Sequence, residues 1–202
     1  STQVAIKRGF WEEIQPSNPV TNDGPYDFRI PPDPTYIQLN KNYVYVQMVI
    51  KKPNVPAGVS IPKYAAINLI GKTLFGQVKC WLNNKLAFDS SDKYAYKAFL
   101  ETELNYGFDA KSSHLQSSLY FKESGTDVNT NDNDSFKNRA EFFKDDSIVE
   151  VTAPLHIDIF SQDKYLLNYT DVKIELHRNS DPFVLQCFEN VDLKLEILKI
   201  KL

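Results

Sequence analysis

A chain of 202 residues with 23 Lys and Arg against 26 Asp and Glu carries a formal net charge of −3. That balance excludes a nucleic-acid binder working through bulk basic charge. Leu, Ile, Val and Phe supply 59 of the residues, well above the roughly 20% at which chains stay disordered, so the length buries one ordinary core.

Residues 1–25 read as an extended arm, polar and Pro-broken except for the pair Phe10-Trp11. Such an arm needs its own domain or a neighbour to lie on. From residue 26 onward the chain reads as a single β domain. Tyr36 to Leu39 is a short strand candidate with Ile37 and Leu39 on one face. Tyr43 to Ile50 is the clearest strand: Val44, Val46, Met48 and Ile50 form an aliphatic face, with Tyr43, Tyr45, Gln47 and Val49 opposite. Gln77 to Leu82 turns Val78, Cys80 and Leu82 inward. Asn83-Asn84 then suits a two-residue hairpin, and Leu86 and Phe88 continue the alternation.

Asp92 is placed to cap a helix over roughly Lys93 to Tyr106, with Gly107 just past its C-cap. Tyr96, Phe99, Leu100 and Leu104 fall on one face of that helix. Residues 107–147 show no sustained period and are expected to form a long surface excursion. Strand alternation returns at Val149 and Val151, at Leu155, Ile157 and Ile159, and at Val172, Ile174 and Leu176. Val191, Leu193, Leu195 and Ile197 share a final face, after which the register slips to Leu198, Ile200 and Leu202, predicting a β-bulge. About eight short strands, one helix and long loops, with no βαβ rhythm, point to an all-β antiparallel sandwich of the jelly-roll kind.

No catalytic or metal motif emerges. His114, His156 and His177 are far apart in sequence, and the latter two sit on polar strand faces where exposed side chains are expected. There is no nucleophile elbow and no glycine-rich phosphate loop. Asp127, Asn129 and Asn131 match three positions of a calcium loop. Asp132 and Asn138 stand where that loop demands Gly and Glu, so a solvated segment is the better reading. Cys80 and Cys187 are too few for a disulfide scaffold or a zinc module. They read as reduced buried thiols, with a single disulfide left open. No run approaches the ~18 apolar residues of a membrane span. The expectation is a soluble protein of the cytoplasm or nucleus, or of an assembly built there, without catalysis or cofactor.

Two stretches carry a more specific signal. One holds Asn68-Leu69-Ile70, Leu74-Phe75-Gly76-Gln77-Val78, Leu82-Asn83-Asn84-Lys85-Leu86, Tyr94-Ala95-Tyr96-Lys97-Ala98-Phe99-Leu100-Glu101-Thr102 and Tyr120-Phe121-Lys122-Glu123-Ser124-Gly125. The other holds Leu155-His156-Ile157-Asp158-Ile159-Phe160 and Val172-Lys173-Ile174-Glu175-Leu176-His177-Arg178. Together they resemble the first jelly roll of the double jelly-roll major capsid protein (hexon) of Polinton/Maverick elements, adintoviruses and virophage relatives. Gly71-Lys72-Thr73 and Cys80-Trp81 depart from the family's usual wording.

The resemblance implies an eight-stranded jelly roll followed in the family by a second one. It implies a trimeric, pseudo-hexameric capsomer built from copies of the chain, contacts with penton and minor capsid proteins, and a place in a virion shell assembled in the host nucleus or cytoplasm. A stand-alone penton or minor capsid jelly roll and a lectin-like jelly roll are the alternatives. Phe10, Trp11, Tyr43 and Tyr45 are the candidate inter-subunit contacts. Removal of residues 1–25 is expected to leave the fold intact and to impair assembly.

Overall fold

The computed structural model describes residues 8–53, 63–123, 130, 132–189 and 191–202. Two antiparallel sheets share one large hydrophobic cluster, with a smaller one of Leu69, Leu115 and Tyr120 beside it. The first has the order β1 (Tyr26–Ile30), β7 (Val172–Arg178), β4 (Phe75–Leu82), β5 (Lys85–Asp89). The second has the order β6 (Val149–Ala153), β2 (Val44–Lys51), β9 (Lys194–Lys201). A short ribbon pairs β3 (Tyr64–Ala66) with β8 (Leu185–Cys187).

The alternation in β2 does what the period of 2 requires. Val44, Val46, Met48 and Ile50 are all buried, and they meet Val78 and Cys80 of β4 and Val172, Ile174 and Leu176 of β7 in one cluster. Val49, on the opposite face, is buried as well. The arm is tied to this body. The Ile14 N–H donates to the Leu202 carbonyl at 2.7 Å and the Leu202 N–H returns to the Ile14 carbonyl at 3.0 Å. This is the reciprocal pair of an antiparallel ladder, and it extends the second sheet past β9. The Ser17 N–H also donates to Asp27 O at 2.6 Å. Cutting away residues 1–25 therefore removes sheet bonds as well as a tether.

The hairpin and the bulge both form where the side-chain pattern places them. Asn83 and Asn84 take φ of 48° and 63°, the paired left-handed conformation of a two-residue turn between β4 and β5. Asn83 also exchanges bonds with the backbone of Asp171, at 2.9 Å each way, and so locks the turn to the start of β7. In the β2–β9 ladder Gln47 faces Lys199 while Met48 faces Ile197, which leaves Leu198 as the extra residue. Ile197 and Ile200 both point inward, and Leu198 stands 44% exposed. The slip thus keeps the core face continuous at the expense of one leucine.

Other expectations are corrected. Residues 36–39 contribute only the isolated bridge from Ile37 to Leu166. The run 155–159 is not a strand: Pro154 cannot donate to a ladder, and the chain after it is held by side chains instead. The Leu155 N–H donates to Asn42 Oδ1 and the His156 N–H to the Tyr94 hydroxyl oxygen, each at 2.9 Å, before a 3-10 turn at Asp158–Ser161. Leu155 and Ile157 are buried nonetheless. Strands β1, β3 and β8 have no counterpart among the strand candidates.

The excursion 107–147 is largely helical where it is described. It holds α3 (Phe108–Lys111), a 3-10 turn at His114–Ser118 and α4 (Asp134–Phe142). Asn133 caps α4 by accepting from the Ser135 and Phe136 N–H groups at 2.9 and 3.2 Å. Its inner face is Ser135, Phe136 and Arg139, so an apolar period cannot reveal it. The buried Arg139 guanidinium donates to Ala66 O at 3.0 Å and to Gln186 Oε1 at 2.9 Å, which fixes α4 against both strands of the β3–β8 ribbon.

The expected helix forms as α2 (Tyr94–Asn105), one residue shorter at each end, with Tyr106 as its C-cap and Gly107 just past it. Asp92 lies inside a 3-10 turn at Ser91–Lys93 and makes no cap. Tyr106 leaves the helix in extended backbone, and Gly107, also extended, opens α3.

The bulge gives a direct check. Ile200→Ala, which empties a buried site, is expected to cost about 3 kcal/mol in urea unfolding, whereas Leu198→Ala costs under about 0.5 kcal/mol. Equal losses would mean that the register through Leu198 is different.

Candidate interaction surfaces

Three of the four expected contact residues lie along the junction of the arm with β2 and β9. Trp11 rests on Tyr43 with ring centroids 5.8 Å apart and planes tilted by 40°. The pair stays wet, at 70% and 48% exposed, and Phe10 beside it in sequence is exposed too. Tyr45 follows on the same outer face of β2, half-buried, with the Lys201 ammonium 6.0 Å from its ring centroid. Lys201 also reaches Glu13 of the arm at 2.5 Å. That bond holds the Lys201 ammonium above its ordinary pKa and the Glu13 carboxyl below its own. Burial, with Glu150 beside it, raises the Tyr45 phenol.

A second apolar surface was missed because of where α2 turns its faces. The stripe Tyr96, Phe99, Leu100 and Leu104 points away from the body. The inward face is Tyr94, Ala95, Ala98 and Thr102. Ala95, Ala98 and Thr102 let the helix backbone approach α1 (Ile70–Thr73) and β4, and Tyr94 is the one large side chain on the inward face. Leu100 is 58% exposed and Leu104 82%. Phe108 of α3 is exposed as well, and Tyr96 meets the edge of Phe183 at 5.9 Å.

Beneath α2 lies a buried polar cluster. Lys72 of α1 is buried and donates from Nζ to the Thr102 hydroxyl at 3.0 Å, with the Tyr106 ring centroid 4.9 Å away. His156, expected to be exposed, is mostly covered. Its Nδ1 lies 2.7 Å from Glu101 Oε2, and its Nε2 is buried with no hydrogen-bond partner among the described residues. Lys97 links Glu101, at 3.5 Å, to Asp158. Burial, with Lys72 nearby, holds the His156 imidazole below its ordinary value. His177 is partly buried against Glu175 at 2.5 Å, and His114 packs edge-on to Tyr106. The histidines do not converge.

Cys80 is buried and Cys187 partly so; both are free thiols, and burial pushes Cys80 up to about 11. Asp127, Asn129 and Asn131 lie outside the described residues. Among the described residues no group of three or more His, Cys, Asp or Glu is placed to hold a metal ion. One hollow of about 300 Å³ is lined in part by Lys52, Lys63, Lys137 and Lys144. Three of these lysines meet carboxylates: Lys52 with Asp146, Lys137 with Asp132 and Lys144 with Glu141. No helix among the described residues is long and apolar enough to cross a membrane.

No family model matches the chain. It is 28% identical over 204 residues to an uncharacterized protein of Caenorhabditis elegans, an alignment covering 96% of this chain and 47% of that protein. The chain thus spans about half the length of this curated relative.

The Lys72 site sets a pH dependence. Burial lowers the ammonium from 10.5 to about 8 in the folded chain. Between these values the unfolded chain holds the extra proton, so stability rises with pH across the window by up to about 3 kcal/mol and the penalty is complete below pH 8. Burial also raises the Cys80 thiol from 9.0 to about 11 and the Tyr26 phenol to about 12, which oppose this trend from about pH 9 and pH 10 upward and reduce the parent's net gain without removing it. Lys72→Met is expected to melt at least as high as the parent at pH 7 and to lose the gain the parent makes between pH 7.5 and 9.5. A parent-like pH profile in the variant would show that Lys72 carries no buried charge.

Proposed function

We propose that this chain is a structural jelly-roll subunit of a capsid-type shell, without catalytic activity, that assembles with copies of itself. The observation that carries the reading is strand order. Eight extended segments, counted from the Ile14 bridge through β1, β2, β4, β5, β6, β7 and β9, fall into sheets of order 1-8-3-6 and 2-7-4-5. The β3–β8 ribbon is an insertion to this scheme. With the Ile14 contact counted as a fourth member beside the three-stranded sheet, this order is the one expected of the double Greek key of a jelly roll, and it supports that reading.

Further support comes from the surface. Wet aromatic and aliphatic side chains gather at the arm and on α2, where a solitary protein gains nothing from them. The residue runs quoted above, similar to those of Polinton/Maverick, adintovirus and virophage hexons, add the shell. A relative of about twice the matched length leaves room for a second domain of similar size, as a double jelly-roll subunit requires. On this reading the partners are further copies of the chain in a trimeric, pseudo-hexameric capsomer, with penton and minor proteins around it, and the place of action is the virion.

The arm supplies the test. Removing residues 1–11 takes away Phe10 and Trp11 and spares the Ile14–Leu202 pair. The trimmed chain is expected to melt within about 3 °C of the parent, as surface truncations do. Under negative-stain electron microscopy the concentrated parent is expected to form capsomer-sized particles or sheets, and the trimmed chain to form none. Particles unaffected by trimming would remove the arm from the contact. A parent that forms no particle at any salt or pH would remove the shell reading.

A further inference from the structure

We propose that the outer face of α2 is a two-fold contact with a second copy of this chain, the two helices packing antiparallel about an axis at Leu100. The proposal names one contact of the self-assembly read above and rests on that reading only in requiring that copies associate. A two-fold contact uses the same patch on both copies, so the patch must complement itself. Tyr96 and Leu104 lie four residues to either side of Leu100, on the same stripe. Rotation about an axis at Leu100 sets Tyr96 of each copy against Leu104 of the other and places the two Leu100 side chains together.

Area argues for an occupant of this size. Tyr96, Phe99, Leu100, Leu104 and Phe108 are each at least a third exposed. Side chains of this kind present roughly 100 Å² apiece at such exposure. Two copies together bring about 1,000 Å², which reaches the threshold for a specific interface. Charge does not oppose the pairing, because the border charges are compensated within each copy. Lys97 and Glu101 stand one turn apart on one border of the stripe, 3.5 Å from each other and part-exposed. In the antiparallel pair that border runs Lys97, the second copy's Glu101, Glu101 and the second copy's Lys97, and each Glu101 beside the axis is already held by Lys97 and His156 of its own chain. On the other border Glu103 already meets Lys111 at 2.6 Å, so no uncompensated like charges face each other.

The test uses Leu100 itself. In a Cys187→Ser background, with Cys80 buried, Leu100→Cys is expected to give a single disulfide-linked dimer under mild oxidation. Leu86→Cys, equally exposed on the edge strand β5, is expected to cross-link at least ten times more slowly. Leu100→Glu is expected to weaken self-association at least tenfold by sedimentation without moving the melting temperature. Cross-linking of Leu100→Cys no faster than that of Leu86→Cys, or unchanged association in Leu100→Glu, overturns the proposal. Particles that persist in Leu100→Glu remove this contact and leave the shell reading standing. A Leu100-dependent dimer that forms no particles does the reverse.

Discussion

The fold hangs on one constraint: every strand must place its even-numbered or its odd-numbered side chains against another layer. Strand β2 bears most of it, lying hydrogen-bonded between β6 and β9 with four consecutive inward side chains buried. A face so apolar is costly to leave wet and demands the opposite sheet. Strands β4 and β7 answer it. The bulge at Leu198 and the docking of Ile14 on Leu202 are local adjustments that keep the second sheet in register and cover its edge.

Two buried cations attach the helical additions to this body. Arg139 reaches from α4 into the β3–β8 ribbon, and Lys72 reaches from α1 under α2. Each is satisfied by oxygens or an aromatic face more than by a tight carboxylate: Glu123 lies 3.3 Å from Arg139, and Lys72 is held by a hydroxyl and a ring. Buried cations held in this way add little net stability, so they specify position more than they strengthen the fold. With α2 docked through Tyr94, two alanines and Thr102, the side chains of Tyr96, Phe99, Leu100 and Leu104 face outward.

Regular, long-range features were legible in the residues. The faces of β2 and β7, the Asn83-Asn84 hairpin, the final bulge and the existence of α2 all follow from periodicity or turn chemistry that needs no tertiary context. What could not be read depends on such context. Helix α4 hides behind a buried arginine. The 155–159 run alternates like a strand but follows a proline and is held by Asn42 and Tyr94. The same limit applied to the surfaces. Trp11 and Tyr43 were visible as unplaced aromatics, and the structure brings them together. The α2 stripe is legible as one helical face, but four large apolar residues do not say which way that face points. Ala95 and Ala98 were the signal for the true inner face, and small residues carry little weight in a periodicity.

The central claim is that this sandwich is made to meet copies of itself. The most direct measurement is the mass of the unmodified chain by light scattering behind size exclusion, over a concentration series. The account predicts a weight-average mass that rises with concentration above the 23.2 kDa of one chain. A mass fixed at one chain throughout the series would contradict it.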